Sequence, residues 1–373
     1  MKTAVSARKA AFLAGASFAG YNIGSGFATG IEGQQFFASW GASGALVGLI
    51  AAFIVLVLVL LPVYLTGYEK REDGNYNVYH YFCGDRIGTL IDWYIYVSIF
   101  VIILTMMSGA GATIEQLLGI PKAIGTVLLG LLCVLAALLG LEKLMRVLSY
   151  AGIVIFVIMI VGSAYLLIGK GITLPIGRDA ADAIARSGEV KRIGLFGLSS
   201  PLFGGFLSAG LVIVSGMPWV ASTGSLCPDR KSAVLSGILS GLLFYLAEAV
   251  AVWLNLVSLD KIAGKEIPIL AVFQEYFPPL AAVYSVIILL AIFSTVSGRL
   301  FLFSSRLDRG NRKARIAVSV GVVIVAAVGG IILPFSLISN LLFTASGCLG
   351  LFLGVCILIR TVLRLFGKRI SEK

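Results

Sequence analysis

Ten apolar segments follow one another along the 373-residue chain, separated mostly by short polar loops. A helix of about 20 apolar residues is long enough to cross the hydrocarbon core of a bilayer. We number the segments as spans one to ten; they cover residues 9–37, 42–66, 88–118, 122–141, 146–169, 200–226, 231–257, 279–303, 315–333 and 336–362. The pattern predicts an all-α polytopic membrane protein.

Two spans contain residues that disfavour a continuous helix. Span one holds Gly24, Ser25 and Gly26 near its centre, and span six holds Ser-Gly-Met-Pro at 215–218. Proline has no backbone N–H, so span six should kink or unwind at Pro218. Irregular backbone at membrane depth is tolerated where it is buried in protein or lines a cavity. We therefore predict that helices 1 and 6 are interrupted.

The ten spans divide into two halves of five, residues 9–169 and 200–362, and each half begins with a span that is predicted to be interrupted. Because five is odd, the second half crosses the membrane in the opposite sense. Loops 67–87 and 258–278 are similar in length, and each holds a helix-like segment, 75–82 and 267–277. Breaks at matching positions indicate an inverted-repeat transporter, a single transport domain over residues 1–373. The alternative is that the glycines only pack helices and the match is coincidental.

The distribution of charge orients the chain. With the N-terminus inside, 20 of the 29 Lys and Arg residues fall on the cytoplasmic side and 8 on the outer side. Cytoplasmic loops of membrane proteins are enriched in these residues, so both termini are predicted to be cytoplasmic, in a prokaryotic inner membrane. The net charge of +11 lies in short loops and not along one face. This argues against nucleic acid and leaves a small solute and the lipid bilayer as partners.

Composition excludes several classes of protein. The chain is 59% hydrophobic and 13% charged, whereas soluble domains average about 25% charged residues. Its five cysteines show no paired spacing, and His80 is the only histidine. We find no nucleophile with a neighbouring base and no nucleotide-binding motif. The protein is therefore predicted not to be an enzyme and to have no organic cofactor.

A break in span one would expose backbone groups that can bind a solute. Unwinding after Ile23 frees carbonyl groups, and the N–H groups of residues 25–27 would favour a carboxylate. With the matching break in span six, the predicted substrate-binding residues are Asn22, Gly24, Ser25, Gly26, Phe27, Ser215, Gly216, Met217 and Trp219.

The run Gly-Ser-Gly-Phe-Ala-Thr-Gly-Ile-Glu at 24–32, followed by Gln35, Phe36 and Phe37, is similar to the glycine-rich first-helix signature of YkvI-type membrane proteins. The order of spans resembles the LeuT-type fold of the amino acid–polyamine–organocation superfamily. The resemblance implies secondary transport by alternating access, with spans one, two, six and seven rocking against spans three, four, eight and nine. It also implies that Tyr94 or Ser98 of span three can contact the solute. It does not identify the solute.

Span eight carries a candidate cation site. Ala291, Ser294 and Thr295 share one helix face, so that one carbonyl and two hydroxyl groups can converge. In the LeuT-type family such a triplet binds sodium together with two carbonyl groups of the first helix. The resemblance therefore implies Na⁺ with the ligands Gly20, Ile23, Ala291, Ser294 and Thr295. The alternative is that the hydroxyl groups bond back to the preceding turn.

Ionisable side chains within spans are costly in hydrocarbon and need a partner or water. Glu32 in span one and Glu248 in span seven are candidates for a coupling acid, while Glu115 and Arg299 are predicted to be interfacial. The leading hypothesis is Na⁺-coupled symport of a small amino acid or related zwitterion. One alternative is a proton-coupled carrier of amino acids or amines that uses Glu32 or Glu248. The alternative of another class is a non-transporting membrane scaffold or sensor.

Overall fold

A computed structural model describes residues 7–23, 25–71, 77–139, 151–168, 178–195, 198–307 and 312–367. Gly24 of the predicted substrate set, the first residues of span five and the start of segment 75–82 lie outside these ranges. Within the described ranges the chain is helical and forms no β-strand, apart from an isolated bridge between Leu195 and Leu198.

The described helices are, in chain order, α1 (Ala7–Asn22), α2 (Ser25–Thr29), α3 (Ile31–Phe36), α4 (Gly41–Glu69), α5 (Val78–Leu118), α6 (Lys122–Leu139), α7 (Ala151–Ile168), α8 (Arg178–Ser187), α9 (Pro201–Ser225), α10 (Arg230–Leu256), α11 (Leu259–Ile262), α12 (Pro268–Tyr276), α13 (Pro278–Leu307), α14 (Arg312–Ile332) and α15 (Phe335–Leu365). A 3₁₀ turn, Ala38–Trp40, joins α3 to α4. Spans two to five correspond to α4 to α7. Spans six to ten correspond to α9, α10, α13, α14 and α15.

Six described stretches are long and apolar enough to cross a bilayer: Ile31–Glu69, Val78–Leu118, Pro201–Ser225, Arg230–Leu256, Pro278–Leu300 and Phe335–Arg364. Shorter apolar helices occupy Lys122–Ala136, Val154–Ile168 and Ile316–Ile332, at spans four, five and nine. The chain is therefore an integral, multi-pass membrane protein.

Close helix packing depends on glycine at several crossings. Helix α9 packs against α4 and α15, α1 packs along α10, and α5 packs against α13 and α14. A β-carbon at Gly210 would overlap the backbone of Gly347, and one at Gly350 would overlap the backbone of Gly210. Small residues allow helix backbones in membranes to approach this closely. The α9–α15 contact is therefore made directly between backbones.

Both predicted loop helices are present. In α5 the backbone leaves helical geometry at Gly84, where φ is 76°, so residues 78–83 form a short helix of their own before the long span. The Asn77 side chain caps this short helix by accepting hydrogen bonds from the backbone N–H groups of Tyr79 and His80. In the second half, α12 occupies the corresponding loop.

Span six is continuous, which corrects the prediction that it is interrupted. Helix α9 runs from Pro201 to Ser225 with Pro218 inside it. A proline removes the hydrogen bond to the carbonyl four residues earlier, which here is that of Val214. The Tyr79 hydroxyl donates to this carbonyl at 2.9 Å. Because the freed acceptor has found another donor, the helix does not have to end.

Candidate functional site

Span one is broken, as predicted, and it is broken twice. Helix α1 ends at Asn22, and α2 is only five residues long. Gly30 then takes the left-handed conformation, with φ of 79°, before α3 begins at Ile31. Glycine adopts this conformation without steric cost. The break therefore extends further along the span than the Gly-Ser-Gly run on which it was predicted.

Side chains from two other spans bind carbonyl groups of the broken segment. The Tyr284 hydroxyl of α13 donates to the carbonyl of Ala28 at 2.7 Å. The Asn255 amide of α10 donates to the carbonyl of Gly30 at 3.2 Å. The Gly30 carbonyl also accepts a hydrogen bond from the Gln34 N–H at 3.0 Å, so Asn255 is a second donor to it. Buried backbone groups need such partners where the helix is interrupted. The broken conformation is thus stabilised by the surrounding helices.

A cavity of about 750 Å³ reaches span one at Tyr21, close to the end of α1. It begins at Lys70 and Arg71, at the end predicted to be cytoplasmic, and extends inward between α5, α9, α13 and α15. Its lining includes the polar side chains of Tyr21, Asp92, Ser98, Ser215, Arg299 and Ser346. A concave apolar site with a few convergent polar groups is typical of small-molecule binding.

The opposite, predicted outer end is closed by hydrogen bonds around α3. The Gln35 amide donates to the carbonyl of Ser336 at 3.0 Å and accepts from the Asn340 amide at 3.1 Å. The ring of Phe36 stacks on Phe343 with centroids 5.6 Å apart. These contacts join span one to span ten. They lie at the opposite end from the cavity mouth, and the inner part of the cavity reaches Leu342, which is next to Phe343.

The predicted substrate-binding residues are only partly brought together. Ser215 lines the cavity, and the Asn22 amide lies near Gly216, where a β-carbon would be 3.8 Å from its nitrogen. Phe27 and Met217 are buried in the core, at 1% and 0% exposure. The remaining residues of the set are Trp219, which stacks on Tyr21 with ring centroids 4.9 Å apart, and Ser25 and Gly26, which belong to α2.

Within span eight, two of the predicted sodium ligands bond to each other. The Thr295 hydroxyl donates to the carbonyl of Ala291 at 2.9 Å, which is the alternative that the sequence left open. A β-carbon at Gly20 would meet nothing within 4 Å, so the α1 backbone there faces open space. Helix α13, which carries Ser294, packs against α2, whereas α1, which ends just before Ile23, packs along α10.

Glu32 and Glu248 are neighbours within the membrane. Glu248 is 2% exposed, and within the described residues neither of its carboxyl oxygens has a hydrogen-bond partner. It lies against Gly33, and the charge that acts on it is that of Glu32. The Glu32 carboxyl in turn lies against Gly26, where a β-carbon would overlap it. A buried carboxylate without a partner is costly, so this pair favours a bound proton or another cation.

Arg299 was predicted to be interfacial, and the structure corrects this. It is partly buried and lines the cavity. Sequence reasoning also missed Tyr21, Asp92 and Ser346. A signal for Arg299 was available, because it stands one turn after Thr295 in a span, where an isolated charge indicates a functional position.

No protein-family model matches the chain, and no curated protein matches it in sequence. Among solved structures, it is similar to MhsT in complex with L-phenylalanine, with a TM-score of 0.55, 13% identity, and coverage of 98% of this chain and 92% of that one. It is also similar to a variant of the Eremococcus coleocola manganese transporter, with a TM-score of 0.50, 13% identity, and coverage of 98% and 88%. The chain has the LeuT-type fold. Identity this low shows the fold alone, and it does not confirm the resemblance to YkvI-type proteins.

Proposed function

We propose that this protein is a secondary active transporter that moves a small solute by alternating access. The observation that carries the proposal is the cavity of about 750 Å³, which is open at one end of the molecule and reaches the broken span one. The hydrogen bonds of Gln35 to Ser336 and Asn340 close the other end. A solute from that end can reach the cavity only when these contacts break, and this is the requirement of alternating access.

We propose that the solute is a small amino acid or related zwitterion. The similarity to MhsT, which was crystallised with L-phenylalanine, supports this class. The similarity to a manganese transporter does not favour a metal ion as solute here. Among the described residues there is no group of three or more His, Cys, Asp or Glu side chains placed to hold a metal. We further propose that the cavity opens to the cytoplasm of a prokaryotic cell and that both termini lie there.

A thermal-shift screen of the purified chain tests the transporter proposal. A ligand that binds only the folded state raises the apparent melting temperature. We expect one or more amino acids to raise it, and the same compounds to be taken up by proteoliposomes. If no solute shifts the transition and none is accumulated, the protein is a non-transporting scaffold or sensor.

Coupling to Na⁺ is proposed from Ala291, Ser294 and Thr295, together with carbonyl groups of the first helix. If sodium links α1 to α13, it must lower the Kd of the solute, and the solute must lower that of sodium. We expect the double substitution Ser294→Ala and Thr295→Ala to abolish the effect of sodium on solute affinity while leaving binding at saturating solute. Equal affinity in sodium and choline for the unmodified protein would exclude this site.

Coupling to protons is the second candidate, and the unpartnered carboxyl of Glu248 beside Glu32 favours it. The carboxyl group can lose and gain a proton, whereas glutamine cannot. We therefore expect Glu248→Gln or Glu32→Gln to lose accumulation driven by a pH gradient but to retain solute exchange. The control is Glu275→Gln, which removes an exposed loop carboxylate that pairs with Lys261 at 2.9 Å. Unchanged pH-driven accumulation in both variants would leave the pair with a structural role.

A further inference from the structure

Arg299 is a cation inside the cavity without a protein counter-charge. Within the described part of the chain its guanidinium makes no ion pair or hydrogen bond, and the ionisable group that acts on it is the phenol of Tyr21. Taking a charge out of water is costly unless it finds an opposite charge. The cavity therefore presents an unmatched positive charge to whatever it holds.

The cavity's own carboxylate, Asp92, is too far along the helix to serve as this counter-charge. The rings of Tyr96 in α5 and Phe303 in α13 stack with centroids 4.6 Å apart, which fixes the register of the two helices. Since the helices run in opposite directions in the predicted topology, Arg299 lies level with about residue 100. Asp92 is two turns closer to the cavity mouth, about 12 Å along the axis. It also already contacts His80 Nε2 at 3.1 Å.

The other polar groups nearby suit an amine better than a carboxylate. The hydroxyl of Ser98 donates to the carbonyl of Ile95 at 2.8 Å, and that of Ser215 to Leu211 at 3.0 Å. Because both hydroxyl groups already donate their hydrogen to a backbone carbonyl, their oxygens can only accept a hydrogen bond from a solute. At the break in span one, the Glu32 carboxyl lies over Gly26 and would repel a second carboxylate when it is ionised.

We infer that Arg299 binds the carboxylate of the transported solute while the cavity is open. The inference rests on the proposed function and narrows the solutes to those that bear a carboxylate. A guanidinium offers two parallel N–H donors that match a carboxylate in a bidentate pair. It places the carboxylate at Arg299, not at the backbone N–H groups of residues 25–27, which belong to a helix of only five residues.

The test measures solute affinity for the purified full-length chain and three variants. The probes are the amino acids that shift the transition, the amide of each, and the amine that lacks its carboxyl carbon. The variants are Arg299→Gln, Arg299→Lys and the control Arg230→Gln, which removes an exposed arginine outside the cavity. The melting temperature without ligand shows whether each variant is folded. Arg299→Lys keeps the positive charge but lacks the two parallel N–H donors of the guanidinium. It therefore remains informative if Arg299→Gln does not fold.

We expect the amino acid to bind and its amide and amine to bind at least about 10-fold more weakly. Arg299→Gln should raise the Kd of the amino acid by about 10- to 100-fold and remove its advantage over the amide. The Kd of the amino acid for Arg299→Lys should lie between the values for the unmodified protein and Arg299→Gln. For Arg230→Gln it should equal that of the unmodified protein.

Four outcomes would overturn the inference. The first is that the amino acid binds the unmodified protein and Arg299→Gln with equal affinity. The second is that amines or amides bind in preference to amino acids. Either result would exclude Arg299 as the carboxylate site and would leave the transporter proposal intact. If chloride alone gives the stabilisation that Arg299 confers, the bound group is an inorganic anion and not the solute. Absence of binding by any solute class would remove the proposed function together with the inference.

Discussion

Spans one and six stand at matching positions in the two predicted repeats, yet their backbones differ. Span one divides into α1, α2 and α3, with a left-handed residue at Gly30, whereas α9 continues through Pro218. In span one, hydroxyl and amide donors from other spans bind the carbonyls of Ala28, in the five-residue helix α2, and of Gly30, at the left-handed turn. In span six, Tyr79 binds a carbonyl of a residue that has stayed in it. A helix-breaking residue therefore breaks a span only where the surroundings stabilise the broken form.

The largest expected effect is on the left-handed turn of span one. A β-carbon at Gly30 would overlap the side chain of Ile269 and would also require a residue with a side chain to hold a φ of 79°. The left-handed conformation costs about 1–2 kcal/mol, and crowding a packed interior costs about 1–3 kcal/mol. Gly30→Ala should therefore lower the free energy of unfolding by about 3 kcal/mol. The measurement is the apparent melting temperature in detergent, which should fall by several degrees.

Gly20→Ala is the matched control in the same span. Gly20 lies in α1, and a β-carbon there would meet nothing within 4 Å. Alanine also favours helix over glycine, so this variant should be as stable as the unmodified protein or slightly more stable. If both variants lose the same stability, the left-handed turn is not what stabilises the break.

An intermediate effect is expected for the proline of span six. Tyr79→Phe leaves the carbonyl of Val214 without its donor and should cost about 1–2 kcal/mol. Pro218→Ala supplies a backbone N–H to the same carbonyl. In the Pro218→Ala background, Tyr79→Phe should therefore cost about 1 kcal/mol less, as measured by a double-mutant cycle on thermal or denaturant unfolding.

Tyr284→Phe, in span eight, is the corresponding control for the hydrogen bond to span one. It removes a hydroxyl that donates to the carbonyl of Ala28, whereas the carbonyl freed by Pro218 is that of Val214. Its effect should add to that of Pro218→Ala. A Tyr79→Phe effect that adds in the same way would show that its hydroxyl does not replace the missing N–H.

The smallest effect concerns the short helix that carries Tyr79. Its neighbour His80 lies before Gly84, ahead of the membrane-spanning part of α5, and contacts Asp85 at 3.2 Å and Asp92 at 3.1 Å. Hydrogen bonds to Asp85 first and then to Asp92 raise the pKa of His80 above its usual value of 6.5. A group whose pKa is higher in the folded state stabilises the fold fully at pH values below its pKa in the unfolded state. This stabilisation is lost as the pH rises through its pKa in the folded state.

We therefore expect the melting temperature to fall slightly more between about pH 6 and about pH 8.5 for the unmodified protein than for His80→Gln. The effect is small because these groups are largely solvated and water screens the interaction. A steeper fall in His80→Gln than in the unmodified protein would contradict the assignment. His80 is the only histidine, so its titration can also be followed directly.

Much of the fold was predictable because membrane insertion imposes a strong local rule. The lengths of the apolar segments predicted spans two to ten, each of which corresponds to a described helix. The Gly-Ser-Gly run predicted that span one is broken. The short helices at residues 78–83 and Pro268–Tyr276 followed from their apolar-polar pattern. Glu32 and Glu248, singled out in the sequence as intramembrane acids, lie close to each other, and within the described residues the Glu248 carboxyl has no hydrogen-bond partner.

What the sequence by itself determined is therefore which segments enter the membrane, which residues permit a broken backbone, and which charges are costly there. These depend on the chemistry of each residue and its immediate neighbours. The tertiary structure alone decided that Pro218 stays within a helix, because the donor that replaces its N–H belongs to Tyr79, 135 residues away from Val214. It also decided that Arg299 faces a cavity, because the side of α13 that is covered depends on helix packing and not on hydropathy. In a membrane both faces of a helix are apolar, so the face that lines a site becomes visible only when the neighbouring helices are in place.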